Sequence, residues 1–580
     1  MNKPQDPAGI DNIRHSLAHL LAMAVLKKFP KAKLGIGPTI ENGFYYDFKL
    51  PKPIGPEDLK EFETEIKRLI SEKLDFKGEK VTPQKARKLY KDQPFKLDLI
   101  KEFSKEKKQL TLYHTGKFTD LCRGGHVKNT SEINPEAVKL TKIAGAYWRG
   151  DEKKPQLTRI YGVAFESKNG LENYIKLQEE AEKRDHKKLG RDLDLFVFSP
   201  LVGPGLPLFT PRGTFIREAL ENFIDKLNKK NNYRRVWIPH LAKPDLYKTS
   251  GHWDKFKDDL FHVRGRESEF VIKPMNCPHH TQIYASRARS YKDLPIRYYE
   301  TTTVYRDEQS GELGGLTRVR SITQDDGHSF IREDQIEKEF DTLLSMQRAL
   351  LEACGLTDYW IRLSLRDSKN KKNYLGDDDV WTHAQSTMHD ILQKHGITFK
   401  TAEGEAAFYG PKMDLMVKDA IGREWQISTI QLDFNMPKRF GLEYIDENAK
   451  KQTPVMVHRA FMGATERFMG LLLEHYAGAL PFWLSPVQVA VLSMNDNLNP
   501  HSAEIAKELK KNNFRVTLDG RNETIGKKIR EAEMQKIPYL LIIGEKEKTA
   551  GTVSLRERGS GDKGQIKIND FMEICKKLLR

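Results

Sequence analysis

The pattern of hydrophobic and polar residues changes along the chain of 580 residues and divides it into four predicted segments. Residues 1–165 mix helical periodicity with short strand-like runs such as residues 43–47, which predicts an N-terminal α+β domain. Residues 166–190 are dense in charge, and residues 171–189 have apolar positions at helical spacing. A charged helix of this kind is typical of a connection between two domains.

Residues 191–484 form the largest segment. Its strand-like runs, at 236–238, 297–300 and 424–427, alternate with turns, which predicts an antiparallel sheet with helices packed around it. In residues 485–580 the apolar patterns follow the order strand, helix, strand, helix, strand. This order predicts a small α/β domain with parallel strands. The fold class is therefore predicted to be multidomain α+β.

The composition predicts a soluble protein without a membrane span. Hydrophobic residues make up 38% and charged residues 31% of the chain, and the mean hydropathy is −0.63. The most apolar long window, residues 477–494, is interrupted by Pro481 and Pro486 and lacks the length of a membrane span. The four cysteines are too few and too scattered for a disulfide framework, which favours reduced thiols and a cytoplasmic location.

The charge balance favours a polyanionic partner. Lysine and arginine total 97 against 81 acidic residues, which gives a net charge of +16 and a pI near 9.2. In a large soluble protein this excess most often serves nucleic-acid binding, and the alternative is a merely basic surface.

Residues 305–328 are predicted to form a hairpin with guanidinium groups on both arms. Arg306 and Glu308 are two positions apart on the entering strand, and Arg318 and Arg320 share a face of the returning strand. Because arginine binds phosphate oxygens bidentately, the hairpin suits a triphosphate. The alternative is a salt-bridged hairpin at the surface.

Two histidine-containing segments raise the question of metal binding. Cys277, in K-P-M-N-C-P-H-H, can be read as a metal ligand, a nucleophile or a buried residue without chemistry. His15 and His19 are four positions apart on one face of a predicted helix, but no glutamate follows the first histidine, so this is not a metalloprotease motif. Spacing alone also allows a plain helix.

Several motifs resemble those of class II aminoacyl-tRNA synthetases. R-D-E at 306–308 with R-V-R at 318–320 resembles motif 2, G-A-T-E-R ending at Arg467 resembles motif 3, and V-W-I-P ending at Pro239 resembles motif 1. K-P-M-N-C-P, T-Q-D-D-G-H, A-F-Y-G-P-K, I-Q-L-D-F and V-H-R-A are more specifically similar to threonyl-tRNA synthetases. The resemblance extends from about residue 12 to the C-terminus.

The resemblance implies an editing domain at 1–165, a linker helix at 166–190, a class II antiparallel-sheet catalytic domain at 191–484 and an α/β anticodon-binding domain at 485–580. It implies ATP-dependent activation of L-threonine, transfer to tRNA(Thr), and a homodimer joined through motif 1. It also implies a chain that lacks the small ubiquitin-like N-terminal domain of many bacterial members.

The resemblance also implies roles for individual residues of the catalytic domain. It implies one zinc ion per subunit, bound by Cys277, His328 and His458. It implies threonine contacts from Gln324, Asp326, Tyr409, Gln431 and Met275. It implies binding of ATP, with Mg²⁺, by Arg306, Glu308, Arg318 and Arg467. Arg306 and Arg467 would be catalytic, and His252 would assist transfer to the tRNA 2′-hydroxyl.

Serine creates a need for a second site, because it lacks only one methyl group relative to threonine. A methyl-sized group changes the binding free energy in the transition state by about 1–3 kcal/mol, which gives too little discrimination for accurate translation. The resemblance implies an editing site for seryl-tRNA formed by His15, His19, Lys96, Asp120, Cys122 and His126, and leaves open whether it binds metal. It implies anticodon recognition by Asn522, Glu547 and Arg556, whose amide, carboxylate and guanidinium groups suit the edges of splayed bases.

Three positions depart from the family pattern. Ile322 replaces an aromatic residue that stacks on adenine, His279 replaces a glycine, and Ala464 replaces a serine of motif 3. The sequence leaves two further hypotheses open. One is a synthetase-like RNA-binding protein without activation activity, and the other is a seryl-tRNA deacylase with vestigial synthetase domains. Survival of all four predicted ATP-binding residues argues against loss of activation.

Overall fold

The computed structural model describes residues 9–580, which form two compact units divided between Glu179 and Glu180. This division falls inside the predicted linker segment 166–190. The linker is not one continuous helix: it forms α5 (Lys168–Arg184) and α6 (His186–Asp192). Asp185 separates them, and its side chain caps α6 by accepting from the Lys187 amide at 2.7 Å.

The N-terminal unit is an α+β structure. Its helices before α5 are α1 (Ile10–Lys28), α2 (Pro56–Ser71), α3 (Pro83–Leu89) and α4 (Pro94–Lys105). Its strands are β1 (Lys33–Leu34), β2 (Thr39–Ile40), β3 (Gly43–Lys49), β4 (Phe76–Val81), β5 (Leu110–Thr115), β6 (Phe118–Leu121), β7 (Val138–Tyr147) and β8 (Gln156–Ala164). One sheet has the order β1-β3-β8-β7 with β2 beside β3, and a second has the order β4-β5-β6.

Helix α1 carries two different faces. Leu17 and Leu21 are fully buried with Phe44 and Phe48 of β3 in one hydrophobic cluster. The His19 ring instead lies against the second sheet, 6.1 Å from Phe76 and 5.8 Å from Phe118. Burial of the apolar face therefore fixes the direction in which the histidines of α1 point.

After α6, the second unit continues with residues 191–484, the segment predicted to be catalytic. Its helices after α6 are α7 (Pro211–Lys230), α8 (Pro244–Ser250), α9 (His252–Phe256), α10 (Cys277–Ala285), α11 (Ile336–Cys354), α12 (Asp378–Lys394), α13 (Met436–Arg439) and α14 (Thr465–His475). Its strands are β9 (Phe196–Val197), β10 (Leu208–Phe209), β11 (Arg234–Arg235), β12 (Leu241–Ala242), β13 (His262–Arg264), β14 (Glu269–Ile272), β15 (Ile296–Tyr305), β16 (Ser321–Ile331), β17 (Tyr359–Leu365), β18 (Phe399–Glu403), β19 (Lys412–Lys418), β20 (Glu424–Asp433), β21 (Tyr444–Ile445), β22 (Lys451–Gln452) and β23 (Val455–Ala460).

An eight-stranded sheet organises this segment, in the order β11-β15-β16-β23-β20-β19-β17-β18. All neighbours from β15 to β17 pair antiparallel, and only the two outermost pairs are parallel. Phe340 and Leu343 of α11, Leu472 of α14 and Ile430 of β20 are fully buried in its largest hydrophobic cluster. The antiparallel sheet with surrounding helices confirms the predicted fold class.

Two local predictions in this segment were wrong. Residues 236–238 are not a strand, because the ladder with β15 forms at Arg234–Arg235. The strands of the predicted hairpin end at Tyr305 and resume at Ser321. Arg306, Glu308, Arg318 and Arg320 therefore belong to a long connection, residues 306–320, which we call the motif 2 loop.

The chain ends in an α/β domain. Its elements are β24 (Val489–Ser493), α15 (Asn499–Lys511), β25 (Val516–Asp519), α16 (Ile525–Met534), β26 (Tyr539–Ile543), α17 (Glu545–Ala550), β27 (Val553–Glu557), β28 (Gly561–Ile566) and α18 (Ile568–Lys576). The first three strands pair in parallel, as the sequence pattern predicts, and β27 and β28 extend the sheet antiparallel. Among residues 9–580, none of the helices combines the length and hydrophobicity that a membrane crossing requires.

Candidate active site

Strand register assembles one wall of a cavity in the eight-stranded sheet. His328 of β16 pairs directly with His458 of β23, and His458 pairs with Gln431 of β20. Directly opposed residues project from the same face, so these three side chains stand in a row. Gln324 and Asp326 precede His328 by four and two positions on β16 and share its face.

The cavity has a volume of about 570 Å³. It brings together the following predicted residues: His252, Met275, Cys277, Arg306, Gln324, Asp326, His328, Tyr409, Gln431 and His458. The other predicted ATP-binding residues, Glu308, Arg318 and Arg467, are absent from its lining. Most of the predicted catalytic and threonine-binding groups therefore converge on one space, with the remaining charged groups around the motif 2 loop.

Cys277, His328 and His458 could hold a metal ion. The three side chains are buried, and their sulfur and nitrogen ligand atoms lie within 4.8 Å of one another. Burial raises the pKa of the Cys277 thiol well above its ordinary value and lowers the pKa of His328 well below its own. One sulfur and two imidazole nitrogens are a donor set that Zn²⁺ prefers, so the residues fit this ion.

Partners outside this trio orient both imidazoles. His458 Nε2 lies 3.0 Å from Asp433 Oδ2, and His328 Nδ1 lies 2.8 Å from His280 Nδ1. Asp433 and His280 are themselves fully buried. Metal-binding histidines use such contacts to fix ring orientation and tautomer.

The polar groups beside the trio are also held by neighbours. The Asn276 amide donates to Asp326 Oδ2 at 3.0 Å, and the Tyr409 hydroxyl donates to Gln431 Oε1. The Tyr409 ring stacks on His458 with centroids 4.8 Å apart. The pocket thus presents a carboxylate, an amide and a hydroxyl in fixed positions.

His252 is a buried, neutral histidine at the edge of the trio. Burial lowers its pKa to about 3, and the positive charges of neighbouring residues act in the same direction. Its Nδ1 lies 2.8 Å from Ser250 Oγ, and its Nε2 lies 3.8 Å from Cys277 Sγ. An uncharged imidazole can both accept and donate a proton in hydrogen bonds.

The charged groups of the motif 2 loop are paired with one another. Arg318 Nε donates to Glu308 Oε2 at 2.8 Å, and its Nη2 lies 2.9 Å from Glu312 Oε2. Arg467, on α14, donates from Nε to the Thr317 carbonyl at 2.9 Å. These pairs keep the loop ordered, and a bound anion would replace the acidic partners of Arg318.

A second polar cluster lies in the N-terminal unit. The ligand atoms of His15, His19, Cys122 and His126 lie within 4.8 Å of one another. Gly124 and Gly125, at φ +94° and +82°, return the chain so that His126 stacks on His15 with centroids 4.1 Å apart. Cys122 Sγ lies 3.1 Å from His126 Nε2.

Burial keeps these groups uncharged. It lowers the pKa of His126 to about 2, lowers the pKa of His19 well below its ordinary value and raises the pKa of Cys122 to about 12. At pH 7 the cluster is therefore a set of neutral donors and acceptors.

Beside this cluster lies a buried ion pair. Lys96 Nζ contacts Asp120 Oδ1, and both side chains are almost fully buried. The Tyr46 hydroxyl donates to the other oxygen of Asp120 and accepts from Lys96 at 3.0 Å. His19 Nε2 lies 3.8 Å from Asp120, so the pair adjoins the histidines.

The predicted anticodon residues lie on the C-terminal domain. Asn522 is exposed in the turn after β25, Glu547 lies in α17 and Arg556 in β27. Glu547 accepts from the Gly544 amide at 3.1 Å, and Arg556 donates to Glu533 at 3.1 Å. Both charged side chains are therefore held by neighbours within the C-terminal domain.

Sequence reasoning missed four residues that hold predicted site groups: Tyr46, Asn276, His280 and Asp433. All four are buried. Asn276, His280 and Asp433 lie within or beside quoted motifs. Their position next to predicted site residues in the sequence could therefore have identified them. Tyr46 had no such signal, because its contact with Asp120 spans 74 positions.

Comparison with known proteins agrees with this arrangement. Residues 260–476 match the model of the tRNA synthetase class II core domain (G, H, P, S and T), and residues 488–578 match an anticodon binding domain. Residues 110–161 match the threonyl and alanyl tRNA synthetase second additional domain.

Relatives cover the whole chain. A threonine–tRNA ligase from Gloeobacter violaceus is 48% identical, with 100% of this chain and 94% of the relative covered. One from Thermosynechococcus vestitus is 47% identical, with 98% and 95% covered. The chain belongs to the threonyl-tRNA synthetase family. A solved structure titled the RNA binding domain of threonyl-tRNA synthetase from Cryptosporidium parvum is 36% identical, with a TM-score of 0.65, and covers 68% of this chain and 98% of that one.

The three departures from the threonyl-tRNA synthetase pattern have definite positions. Ala464 is the N-cap of α14 and makes no side-chain cap, which a serine would supply at about 0.5–2 kcal/mol. Ile322 lies on β16 opposite Val304. His279 is buried without a hydrogen-bond partner for either ring nitrogen among the described residues, and burial lowers its pKa to about 4.

The buried Lys96–Asp120 pair leads us to predict an effect on stability. Lys96→Met leaves the Asp120 carboxylate buried without its cation, which we expect to destabilise the N-terminal unit by about 3–5 kcal/mol. Hydrogen exchange of the β6 and α4 amides in the full chain would measure the loss.

The control for this prediction is Lys85→Met, which removes an exposed ion pair with Glu79 in the same unit. It should cost no more than about 1 kcal/mol. Equal protection factors for the two variants would contradict the assignment of a buried ion pair.

Proposed function

We propose that this protein activates L-threonine with ATP, transfers it to tRNA(Thr) and hydrolyses seryl-tRNA(Thr). The observation that carries the proposal is the convergence of Cys277, His328, His458 and Asp326 on one cavity of a class II core. Membership of the threonyl-tRNA synthetase family supports the same activity.

The amino-acid site would hold one Zn²⁺ per subunit through Cys277, His328 and His458. When bound, this ion supplies a Lewis acid that the amine and hydroxyl of threonine can approach together, which valine cannot match. Asp326, held by Asn276, accepts a hydrogen bond from the threonine hydroxyl. Gln324 and Tyr409 orient the amino group, and Gln431 and Met275 complete the pocket.

ATP, with Mg²⁺, would bind between the cavity and the motif 2 loop. Arg306 contacts the threonine carboxylate and the α-phosphate, and Glu308 accepts from the adenine amine. Arg318 and Arg467 bind the outer phosphates, so Arg318 exchanges Glu308 and Glu312 for phosphate oxygens. Acceleration comes from alignment of carboxylate and phosphate and from the guanidinium charges around them.

Transfer to tRNA would use His252. Its neutral ring is held by Ser250 and lines the cavity in which the adenylate would form. From this position the imidazole assists removal of the proton from the tRNA 2′-hydroxyl.

Seryl-tRNA would be hydrolysed in the N-terminal cluster. His15, His19, Cys122 and His126 are neutral, while Lys96 and Asp120 supply a fixed charge pair beside them. Such groups can position a water molecule and the ester of the mischarged tRNA. Asn522, Glu547 and Arg556 would recognise the anticodon, and the net charge of +16 favours the tRNA backbone.

The protein would act in the cytoplasm as a homodimer. Motif 1 presents Trp237, which is 77% exposed, and Leu241, two residues after the motif, is 45% exposed. Because exposed apolar residues that are scattered singly are normal, the resemblance to motif 1, and not exposure alone, assigns this segment to the interface. The absence of disulfides among the four free cysteines suits a reducing compartment.

ATP–pyrophosphate exchange with threonine, serine and valine tests the activation step. We expect strong exchange with threonine, roughly 10–200-fold weaker exchange with serine and none with valine. The same sample should contain about one zinc per chain. Cys277→Ala should lose both exchange and zinc.

Cys354→Ala is the matched control, since Cys354 is also buried but lies in the largest hydrophobic cluster and, among the described residues, in none of the groups that could hold a metal ion. It should keep both exchange and zinc. An active enzyme without zinc would refute the zinc site, and absence of exchange with all three amino acids would favour an RNA-binding or deacylase role.

Removal of the editing histidine should separate the two activities. We expect His126→Ala to keep threonine activation but to accumulate seryl-tRNA(Thr), because the catalytic cavity discriminates serine weakly. Charging of tRNA(Thr) with radiolabelled serine measures this. His114→Ala, which changes a half-exposed histidine of the same unit, should accumulate none.

The oligomeric state can be tested at Trp237. Sedimentation of the wild type should give twice the chain mass of 66.9 kDa. Trp237→Arg places a charge in the proposed interface and should shift the protein towards monomer. Leu201→Arg changes a 99% exposed apolar residue outside motif 1 and should leave the dimer intact. A monomeric wild type would refute the proposal.

A further inference from the structure

His186 is a buried histidine at the start of α6 that neither the sequence motifs nor the proposed reaction uses. Only 4% of the residue is exposed. Its Nδ1 lies 2.6 Å from Glu474 Oε1 on α14, and its Nε2 lies 2.9 Å from the Leu316 backbone nitrogen in the motif 2 loop. One imidazole ring therefore bridges the motif 3 helix and the motif 2 loop.

The hydrogen-bond donors define the tautomer of this ring. The Leu316 amide can only donate, so His186 Nε2 is the acceptor and carries no proton. The proton is then on Nδ1 and is donated to the Glu474 carboxylate. Because both ring nitrogens are occupied, His186 and Glu474 form a hydrogen-bonded bridge rather than a metal site. Asp185 lies near them, but its side chain accepts from the Lys187 amide.

The Glu474 side chain of this bridge is itself held in place by two further contacts. The His186 backbone amide donates to Glu474 Oε1 at 3.2 Å, and Arg423 pairs with Oε2. Burial alone raises the pKa of Glu474, but the bonds from His186 and the charge of Arg423 lower it below its ordinary value. The carboxylate therefore remains ionised and holds the His186 ring in one orientation.

On its other side the ring contacts the tip of the motif 2 loop closely. Gly315 has φ +61°, and a Cβ atom there would lie 2.3 Å from His186 Nε2. The next residues are Leu316, bound by His186, and Thr317, whose carbonyl accepts from Arg467. Arg318 follows directly, so the contact with His186 lies two residues from a proposed phosphate ligand.

We infer that His186 is a positioning residue for ATP: through the Leu316 amide it fixes the tip of the motif 2 loop against α14. This places Arg318 and Arg467 for the outer phosphates. The inference rests on the proposed function, since it takes those two arginines as phosphate ligands. His186 itself touches neither substrate in this role.

Kinetics of ATP–pyrophosphate exchange with full-length variants test the inference. His186→Ala should raise the KM for ATP about tenfold and leave the KM for threonine within about twofold, because the amino-acid cavity does not contain His186. Zinc content should remain that of the wild type. His383→Ala, an exposed histidine of the same unit, should change none of these values.

Two amide variants distinguish the hydrogen bond at Nε2 of the ring from the hydrogen bond at Nδ1. A glutamine carbonyl can reach the position of Nε2 and accept from Leu316, whereas an asparagine amide reaches only the position of Nδ1. His186→Gln should therefore keep the KM for ATP within about threefold, while His186→Asn should resemble His186→Ala. Gly315→Ala, which forces the loop away from the ring, should also raise the KM for ATP.

Each outcome decides a different point. An unchanged KM for ATP in folded His186→Ala and His186→Asn, or equal increases in the KM values for ATP and threonine, would overturn the positioning role. If His186→Ala fails to fold, the comparison of the glutamine and asparagine variants still tests the inference. A wild type without threonine-dependent exchange would refute the proposed function instead.

Discussion

The cavity depends on the antiparallel register of three central strands. His328, His458 and Gln431 occupy directly opposed positions on β16, β23 and β20, so their side chains leave one face of the sheet together. A shift of one residue in either pair would turn the side chains of the shifted strand to the opposite face. The buried core beneath the sheet fixes the register, which means that hydrophobic packing indirectly sets the spacing of polar groups.

Burial then determines the charge of these groups. In the cavity it keeps His252 and His328 neutral and disfavours the Cys277 thiolate in the absence of a cation. In the N-terminal cluster it does the same for His19 and Cys122. The two sites differ in what stands beside the neutral groups. In the cavity, the Asp326 carboxylate projects from the same sheet face as His328. In the N-terminal cluster, the Asp120 carboxylate is paired with Lys96.

Sequence motifs predicted which residues line the cavity better than they predicted the strands and loops that position those residues. The residues predicted to bind zinc and threonine line one cavity, although Cys277, His328 and His458 are widely separated along the chain. Pattern alone could not place them, because the ladder between β16 and β23 is a long-range pairing. The alternating arginines suggested strands. Beyond the ladder, however, the Arg306 amide donates to the Arg320 carbonyl at 3.0 Å, while the Arg306 carbonyl accepts locally from the Glu308 amide at 2.9 Å. Long-range hydrogen bonds decided where the strands ended.

The interruption of the linker helix has the same kind of cause. Residues 171–189 have continuous helical periodicity, but Arg184 donates to the Glu474 and His475 carbonyls at the end of α14. The following His186 binds the Glu474 side chain, and Asp185 caps the new helix. The two Arg184 bonds reach carbonyl oxygens in the last turn of α14, where intrahelical donors run out. The break is therefore what allows the polypeptide after the linker to contact both the motif 3 helix and the motif 2 loop.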